Sequence, residues 1–134
     1  MRVVGVDGCK GGWVAVVYDV ETGTLVPKFH PSFQEVLDDC RDAKVICVDI
    51  PIGLREGPPP RACDCEARKI LKWKAPSVFT PPDPRLLSET VYEDALAKSR
   101  EFTGKGIFLI LFGMFPKLRE VNQIVTAGHA GSRF

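Results

Sequence analysis

The chain has 134 residues, of which 45% are hydrophobic and 26% charged, and its formal net charge is +1. This length suits one domain with a single core. The near-neutral charge excludes a global attraction for nucleic acid or acidic membranes, so any such affinity needs a local patch. The five cysteines and the lack of a signal-peptide pattern predict reduced thiols in a cytoplasmic protein. The longest apolar run, Ile107–Phe115, is much shorter than the ~20 residues that cross a bilayer, so no membrane segment is expected.

The N-terminal part predicts three strands joined by tight turns, which is typical of an antiparallel meander. The strands are expected at Arg2–Asp7, Trp13–Asp19 and Thr24–His30. Ser32 as N-cap, with Glu35 three residues later, then predicts a helix. The apolar stretch "AKVICVD" predicts a fourth strand that ends on Asp49. Because its apolar residues do not alternate with polar ones, it is expected to be buried on both faces, like a parallel central strand.

The second half predicts helices separated by proline-rich loops. One helix is expected from Arg61 to about Trp73, and another in "ETVYEDALAKSREFTG", with Gly104 closing it. The runs Ile107–Phe115 and 116–125 predict a helix interrupted or kinked by Pro116. The first of these runs is apolar on every side of a helix, which requires burial on more than one side. Residues 126–134 are expected to form a frayed tail.

This order of elements predicts an α/β fold with a mixed sheet of three antiparallel strands and a parallel fourth, followed by helices. The β-β-β-α-β order corresponds to the first half of a ribonuclease H-like fold. We therefore expect a single ribonuclease H-like domain over residues 1–134.

Asp7 and Asp49 each end a strongly apolar strand. If the two strands are parallel neighbours, their carboxylates emerge side by side at one sheet edge, where ligands of α/β sheets bind. Two adjacent carboxylates repel each other, and a hard divalent cation relieves that repulsion. The sequence thus predicts a Mg²⁺ or Mn²⁺ site with Asp7 and Asp49 as metal ligands and catalytic residues.

The turn "DGCKGG" at residues 7–12 has two interpretations. Gly8, Gly11 and Gly12 would let backbone N–H groups approach a phosphate, with Lys10 adding positive charge. Alternatively, the segment is only a hairpin turn, because Asp-Gly is a common hairpin signal. Asp49, at the matching end of another strand, favours a site.

Several motifs together resemble a family of ribonuclease H-like proteins that are described as predicted nucleases: "GVDGCKGGWV", "VDIPIGL", "RACDCEAR", "SVF" and "TGKG…PKLREV". The resemblance runs from Val3 to about Val121. It implies a ribonuclease H-like fold, a divalent metal, and a nucleic acid or another phosphate ester as substrate. The positions that match the family motifs, and that it marks as site residues, are Asp7, Gly8, Lys10, Gly11, Gly12, Asp49, Arg61, Asp64, Arg68, Lys105, Lys117 and Glu120; Trp13, Pro51, Ile52 and Gly53 match as well.

The chain departs from this family at its C-terminus. Family members continue for many tens of residues with further acidic residues, whereas here no carboxylate follows Glu120. We therefore expect a domain that is incomplete relative to the family, and a single weakly held metal rather than a two-metal centre.

Other candidate residues also have two interpretations. Arg61, Asp64 and Arg68 share a helix face and either orient guanidinium groups toward a phosphate or form a surface ion-pair ladder. The segment 61–74 is the most basic of the chain. Lys105 resembles part of a phosphate loop without its full pattern, and an exposed lysine is the simpler interpretation. Cys63 and Cys65 lack further zinc ligands at a usual spacing and are expected to be free thiols.

Three functional hypotheses remain open. The first is a metal-dependent nuclease that hydrolyses phosphodiesters. The second is nucleotide-phosphate binding like that of actin-like ATPases and sugar kinases, which also open with a strand, an Asp-x-Gly turn and a second strand. The third is a non-catalytic dimeric domain. The apolar run predicts that two copies associate as a homodimer through Ile107–Phe115.

Overall fold

The computed structural model describes residues 1–126, which fold into four strands and five α-helices with two short 3₁₀ helices. The strands are β1 (Arg2–Cys9), β2 (Gly12–Asp19), β3 (Thr24–His30) and β4 (Val45–Val48). The α-helices are α1 (Phe33–Asp39), α2 (Ala62–Leu71), α3 (Tyr92–Thr103), α4 (Leu109–Gly113) and α5 (Phe115–Ile124). The 3₁₀ helices are Lys72–Ser77 and Pro84–Ser88. The predicted tail comprises residues 126–134, and all of it except Thr126 lies outside the described residues.

The chain divides into two compact units. The first unit contains Met1–Ile52 and the segment that begins at Glu120, and the second contains Gly53–Arg119. The prediction of one domain over residues 1–134 stays a prediction. Among the described residues, no helix combines the length and the hydrophobicity that crossing a membrane demands.

The first unit is built on a mixed sheet with the strand order β3-β2-β1-β4. β1 and β2 pair in antiparallel fashion, as do β2 and β3. β4 pairs with β1 in parallel, with Val4 opposite Ile46 and Val6 opposite Val48. The predicted α/β fold class, with three antiparallel strands and a parallel fourth, is therefore confirmed.

The core of the first unit lies on only one face of this sheet. Val4, Val6, Trp13 and Ile46 point to that face and pack with α1, whose Phe33 ring centroid lies 5.1 Å from that of Trp13. The predicted N-cap at Ser32 is confirmed, because its hydroxyl oxygen accepts a hydrogen bond from the Glu35 backbone N–H.

The prediction that β4 is buried on both faces is wrong. Val45 and Cys47 are exposed, and only Ile46 is fully buried. A continuous apolar run therefore does not mean that both faces of β4 are buried, because alternate residues of this strand lie on the face of the sheet opposite the core.

Glu120 connects the start of α1 with strand β2 in the first unit. One carboxylate oxygen accepts a hydrogen bond from the Trp13 indole N–H at 3.0 Å, and the other accepts from the Phe33 backbone N–H. Both oxygens are therefore used for structure. The next residue, Val121, is buried in the same core cluster.

The second unit contains a buried carboxylate that the sequence did not reveal. Asp83 accepts hydrogen bonds from the Arg85 guanidinium at 2.7 and 2.9 Å, from the Arg85 backbone N–H and from the Gly57 N–H. The Arg85 guanidinium, helped by the two backbone N–H groups, lowers the pKa of Asp83 to about 2. This aspartate thereby ties the proline-rich loop at Gly57 to the 3₁₀ helix Pro84–Ser88.

The predicted end of α3 is confirmed, since Gly104 closes it in the left-handed conformation with φ 72°. The predicted break at Pro116 is misplaced: α4 ends at Gly113, and Pro116 is the second residue of α5. Proline is tolerated in a first helical turn because the backbone N–H that it lacks would have no intrahelical carbonyl to donate to there.

The expectation that Ile107–Phe115 is buried on several sides is wrong for part of the run. Ile107, Leu111 and Phe115 are buried, whereas Phe108, Leu109 and Ile110 are exposed. The association of two copies through this run stays a prediction.

The Glu120 contacts lead to the first testable prediction. Replacing Glu120 by alanine removes the acceptor of two N–H groups and should lower the free energy of unfolding by about 2 to 3 kcal/mol. Urea unfolding measures this loss. Glu66, an exposed glutamate that pairs with Lys69 at 2.6 Å, supplies the matched control, and Glu66→Ala should change stability by less than about 0.5 kcal/mol. Equal losses in the two variants would contradict the structural role of Glu120.

The Asp83 contacts lead to a second prediction, on pH dependence. A carboxyl whose pKa is lower in the folded state contributes stability above the unfolded pKa of about 3.9 and loses it as pH falls through the folded value. Asp83→Asn should therefore cost about 2 kcal/mol at pH 7, and the difference from the native protein should vanish as the pH approaches 2. Urea unfolding over this pH series tests it. A difference that stays constant with pH would show that the Asp83 charge contributes no stability.

Candidate functional site

The parallel register of β1 and β4 places Asp7 and Asp49 next to each other. Val6 and Val48 are partners, and each aspartate follows one of them directly. The ladder extends to this position, because the Asp49 backbone N–H donates to the Val6 carbonyl at 2.9 Å. Neighbouring strands are about 4.8 Å apart. The two aspartates are therefore neighbours near the carboxyl ends of two adjacent parallel strands, as predicted, but neither is the last residue of its strand, since β1 continues to Cys9 and β4 ends at Val48.

The two aspartates also share one face of the sheet. Side chains alternate between faces along a strand, so Asp7 lies opposite the face of Val4 and Val6, and Asp49 opposite that of Ile46. Both aspartates are exposed, in contrast to these three core residues. The pair is therefore open to solvent and to ligands.

No cationic side chain of residues 1–126 forms an ion pair with either aspartate, and neither carboxylate makes a hydrogen bond within that range. Like charges on adjacent strand positions destabilise a sheet. Within residues 1–126 this pair is therefore a concentration of negative charge without a compensating cation, and a bound cation would relieve the repulsion.

The donor set available to a metal is small. The described part of the chain has no group of three or more histidine, cysteine, aspartate or glutamate side chains suited to holding an ion. Mg²⁺ often binds proteins through only one or two carboxylates and keeps several water ligands. Asp7 and Asp49 therefore fit a single, weakly held hard cation and do not amount to a two-metal centre.

Backbone geometry explains why glycine is needed at two positions of the turn. The sequence alone could not distinguish this requirement from a role in ligand binding. Cys9 pairs with Gly12, so Lys10 and Gly11 form a two-residue hairpin loop, and Gly11 has a φ of 83° that favours glycine. A Cβ atom on Gly12 would lie 2.2 Å from the His30 carbonyl oxygen of β3. The hairpin interpretation therefore explains Gly11 and Gly12 without a ligand.

Lys10 and Gly8 occupy positions compatible with either interpretation. Gly8 pairs with Trp13 in the β1–β2 ladder. Lys10 is exposed at the tip of the hairpin and forms no ion pair with residues 1–126. Of the turn residues, Lys10 thus keeps a free charge that can meet an anion.

A family model described as a protein of unknown function (DUF429) matches residues 5–133. The chain belongs to the DUF429 family. The searches of curated proteins and of solved structures returned no match. The family description states neither a fold nor an activity.

The remaining predicted site residues of the DUF429 chain divide between its two units. Glu120 belongs to the first unit, and its carboxylate accepts hydrogen bonds from Trp13 and Phe33. Because each oxygen of this carboxylate already accepts an N–H group, Glu120 is suited to stabilising the fold rather than to contacting a phosphate substrate. Arg61, Asp64, Arg68, Lys105 and Lys117 belong to the second unit.

Arg61 and Asp64 form a two-point ion pair in the second unit of the DUF429 chain. The guanidinium donates to both carboxylate oxygens, at 2.7 and 2.8 Å, and the aspartate is buried. The pairing lowers the pKa of Asp64 and raises that of Arg61. Arg68 instead donates to the Val78 carbonyl and the Thr80 hydroxyl, each at 2.9 Å. Both arginines therefore make hydrogen bonds to other residues of the second unit.

Lys105 follows the end of α3. Its backbone carbonyl accepts from the Ser99 hydroxyl at 2.8 Å, and its side chain is exposed. Lys117 is a half-buried residue of α5. Lys105 therefore follows a helix end closed by Gly104 and presents an exposed side chain, and its role as a phosphate contact stays a prediction.

A cavity of about 360 Å³ also lies in the first unit. Its lining includes Arg2, Val4, Val17 and Asp19, which all lie on the core face of the sheet. Asp7 and Asp49 are on the opposite face, so this cavity is not part of the carboxylate site. Two of its charged lining residues, Lys28 and Asp39, form an ion pair with each other at 2.8 Å.

The turn geometry leads to a third prediction. Gly12→Ala forces its Cβ against the β3 backbone and should lower the free energy of unfolding by at least about 2 kcal/mol. Gly5 is the matched control, because a Cβ there meets no atom within 4 Å; Gly5→Ala should leave stability unchanged or raise it by up to about 1 kcal/mol. Chemical denaturation without added ligand compares the two variants. If both retain native stability, close strand packing is not the reason for glycine at position 12.

Proposed function

We propose that the first unit of this DUF429 protein binds one divalent cation, Mg²⁺ or Mn²⁺, through Asp7 and Asp49, and that it hydrolyses phosphodiesters. The observation that carries the proposal is the placement of two exposed carboxylates at adjacent positions of two parallel strands. Both are on one face, and residues 1–126 provide no cation to pair with either.

The physical reason for a metal is the cost of keeping two like charges side by side. At the distance between neighbouring strands, two like charges that are exposed to water still repel each other by about 1 kcal/mol. Carboxylate oxygens are the ligands that hard divalent cations prefer, and substrate phosphates complete their coordination. Two donors hold such an ion weakly, so we expect affinity to depend on the substrate.

When bound, a divalent ion would supply charge stabilisation at the phosphate and a more acidic water. The chain's own contribution is orientation: Asp7 and Asp49 are fixed by the β1–β4 ladder, and the exposed ammonium of Lys10 attracts the phosphate. The resemblance to predicted nucleases and the β-β-β-α-β order support a ribonuclease H-like fold and a nucleic acid or small phosphate ester as substrate. Five unpaired cysteines support a cytoplasmic location.

The small donor set favours a second candidate function, a domain that binds a cation or phosphate without turnover. Ribonuclease H-type centres use three or four acids, and the described residues supply two at this edge. Where the second candidate binds a cation, it shares the metal site with the first and differs from it only in that no phosphodiester is cleaved.

The metal site leads to a fourth prediction. At ten times its dissociation constant, Mn²⁺ should stabilise the native protein by about 1.4 kcal/mol and should not stabilise Asp7→Asn or Asp49→Asn. Without metal, each variant should be more stable than the native protein by about 0.2 to 1 kcal/mol, because the substitution removes a repulsion. Thermal unfolding with and without Mn²⁺ measures both effects.

Asp42→Asn is the matched control, because Asp42 is exposed and pairs with Arg2 at 2.7 Å. This variant should keep the full Mn²⁺ effect. Oligonucleotide cleavage that needs Mn²⁺ and disappears in Asp7→Asn supports hydrolysis, and metal binding without cleavage supports the second candidate. Stabilisation by Mn²⁺ that persists in Asp7→Asn and Asp49→Asn contradicts the site itself.

A further inference from the structure

The second unit carries an exposed surface that combines lysines with large apolar side chains. The segment "KILKWK", residues 69–74, joins the end of α2 to the following 3₁₀ helix, and all six of its residues are exposed. Trp73 is 82% exposed and Ile70 is 78% exposed. Tryptophan is seldom so accessible, since burying its ring is strongly favourable.

The backbone fixes this segment in place. α2 ends at Leu71, and Lys72 adopts a φ of 51° while its N–H donates to the Arg68 carbonyl. The side chain of Arg68 donates to Val78 and Thr80, the residues on either side of Phe79. Phe79 is thereby held near α2, and the residue is 59% exposed. We name Lys69, Ile70, Lys72, Trp73, Lys74 and Phe79 the lysine–aromatic surface.

The charge of this surface is strongly positive. Residues 66–80 contain four basic side chains and one acidic side chain, Glu66, which pairs with Lys69 at 2.6 Å. Lys72 and Lys74 form no ion pair with residues 1–126. The Lys74 ammonium lies 5.0 Å from the centroid of the Trp73 ring. A cation and a stacking ring are thus presented together.

We propose that the lysine–aromatic surface binds single-stranded nucleic acid. Proteins that bind single strands combine cations along the phosphate backbone with aromatic rings on which unpaired bases stack. Trp73 and Phe79 offer such rings, and Lys72 and Lys74 offer the cations. A duplex is a poorer partner, because its bases are already stacked on each other.

An anionic membrane is the main alternative partner for lysines next to tryptophan. Membrane-surface helices separate a cationic face from a continuous apolar face. Here the positive φ at Lys72 interrupts the helix between Ile70 and Trp73, and lysines are interspersed among the apolar residues. The arrangement therefore favours a polymer of alternating phosphates and bases.

This proposal does not rest on the carboxylate pair, and its test excludes metal. In EDTA, anisotropy of fluorescein-labelled oligo(dT) and oligo(U) is titrated with the full chain. Trp73→Ala should weaken binding about tenfold, as expected for loss of one stacked base. Replacing Lys72 and Lys74 by glutamine should reduce the slope of log affinity against log salt by about 1.4, because each phosphate contact contributes about 0.7 on single strands.

Matched controls come from exposed residues outside the surface. Phe108→Ala and Lys44→Gln should bind as the native protein does. Intrinsic fluorescence gives an independent readout, because Trp13 is fully buried and only Trp73 can be quenched by a stacking base. Native thermal unfolding of Trp73→Ala establishes that the loss is local.

Four results would overturn the proposal. The first is no binding of either oligonucleotide, and the second is equal affinity of the native protein and Trp73→Ala. The third is preferential binding to vesicles of phosphatidylcholine and phosphatidylserine with a blue shift of tryptophan emission, which would assign the surface to a membrane. Equal affinity for a duplex of the same length would reduce the surface to a phosphate contact and would also contradict stacking.

Discussion

The parallel pairing of β4 with β1 is the constraint on which the candidate site depends. The hydrogen bond from the Asp49 N–H to the Val6 carbonyl carries the ladder one step beyond the last regular pair and fixes the two aspartates at the same height. A shift of the register by one residue would move Asp49 to the core face, where an unpaired carboxylate is costly. Burial of Ile46 and Val4 on that face therefore specifies the position of the charges on the other.

The two faces of the sheet have different roles. The core face is organised around Trp13 and Phe33, and Glu120 binds the N–H groups of both residues. The opposite face presents Asp7 and Asp49 to solvent. Rigid packing on one side and accessible charge on the other are what a site for a small, hard cation requires, because strands hold ligands more precisely than loops do.

Much of the first unit could be predicted because its signals are local. Turn glycines, the Ser32 cap and two strands ending on aspartate predicted the strand order and the adjacency of Asp7 and Asp49. The exposure of Val45 and Cys47 could not be predicted, because an apolar strand does not reveal whether its second face is covered. The Glu120 contacts join residues 87 and 107 positions apart in the chain, and the Asp83–Gly57 contact spans 26 positions. No local pattern encodes such pairs. The predicted helix break at Pro116 was misplaced for a different reason. Proline interrupts a helix from an interior position but is tolerated in the first turn, and the sequence did not show that α5 begins at Phe115.

Anomalous diffraction from crystals soaked in Mn²⁺ tests the central claim most directly, because it locates the ion without relying on activity. The account predicts one manganese peak within coordination distance of a carboxylate oxygen of Asp7 and another of Asp49, and no peak at this position in Asp7→Asn crystals. Absence of a peak at saturating Mn²⁺, with the two side chains turned away from each other or paired with cationic side chains, would contradict the metal site and the hydrolase proposed from it.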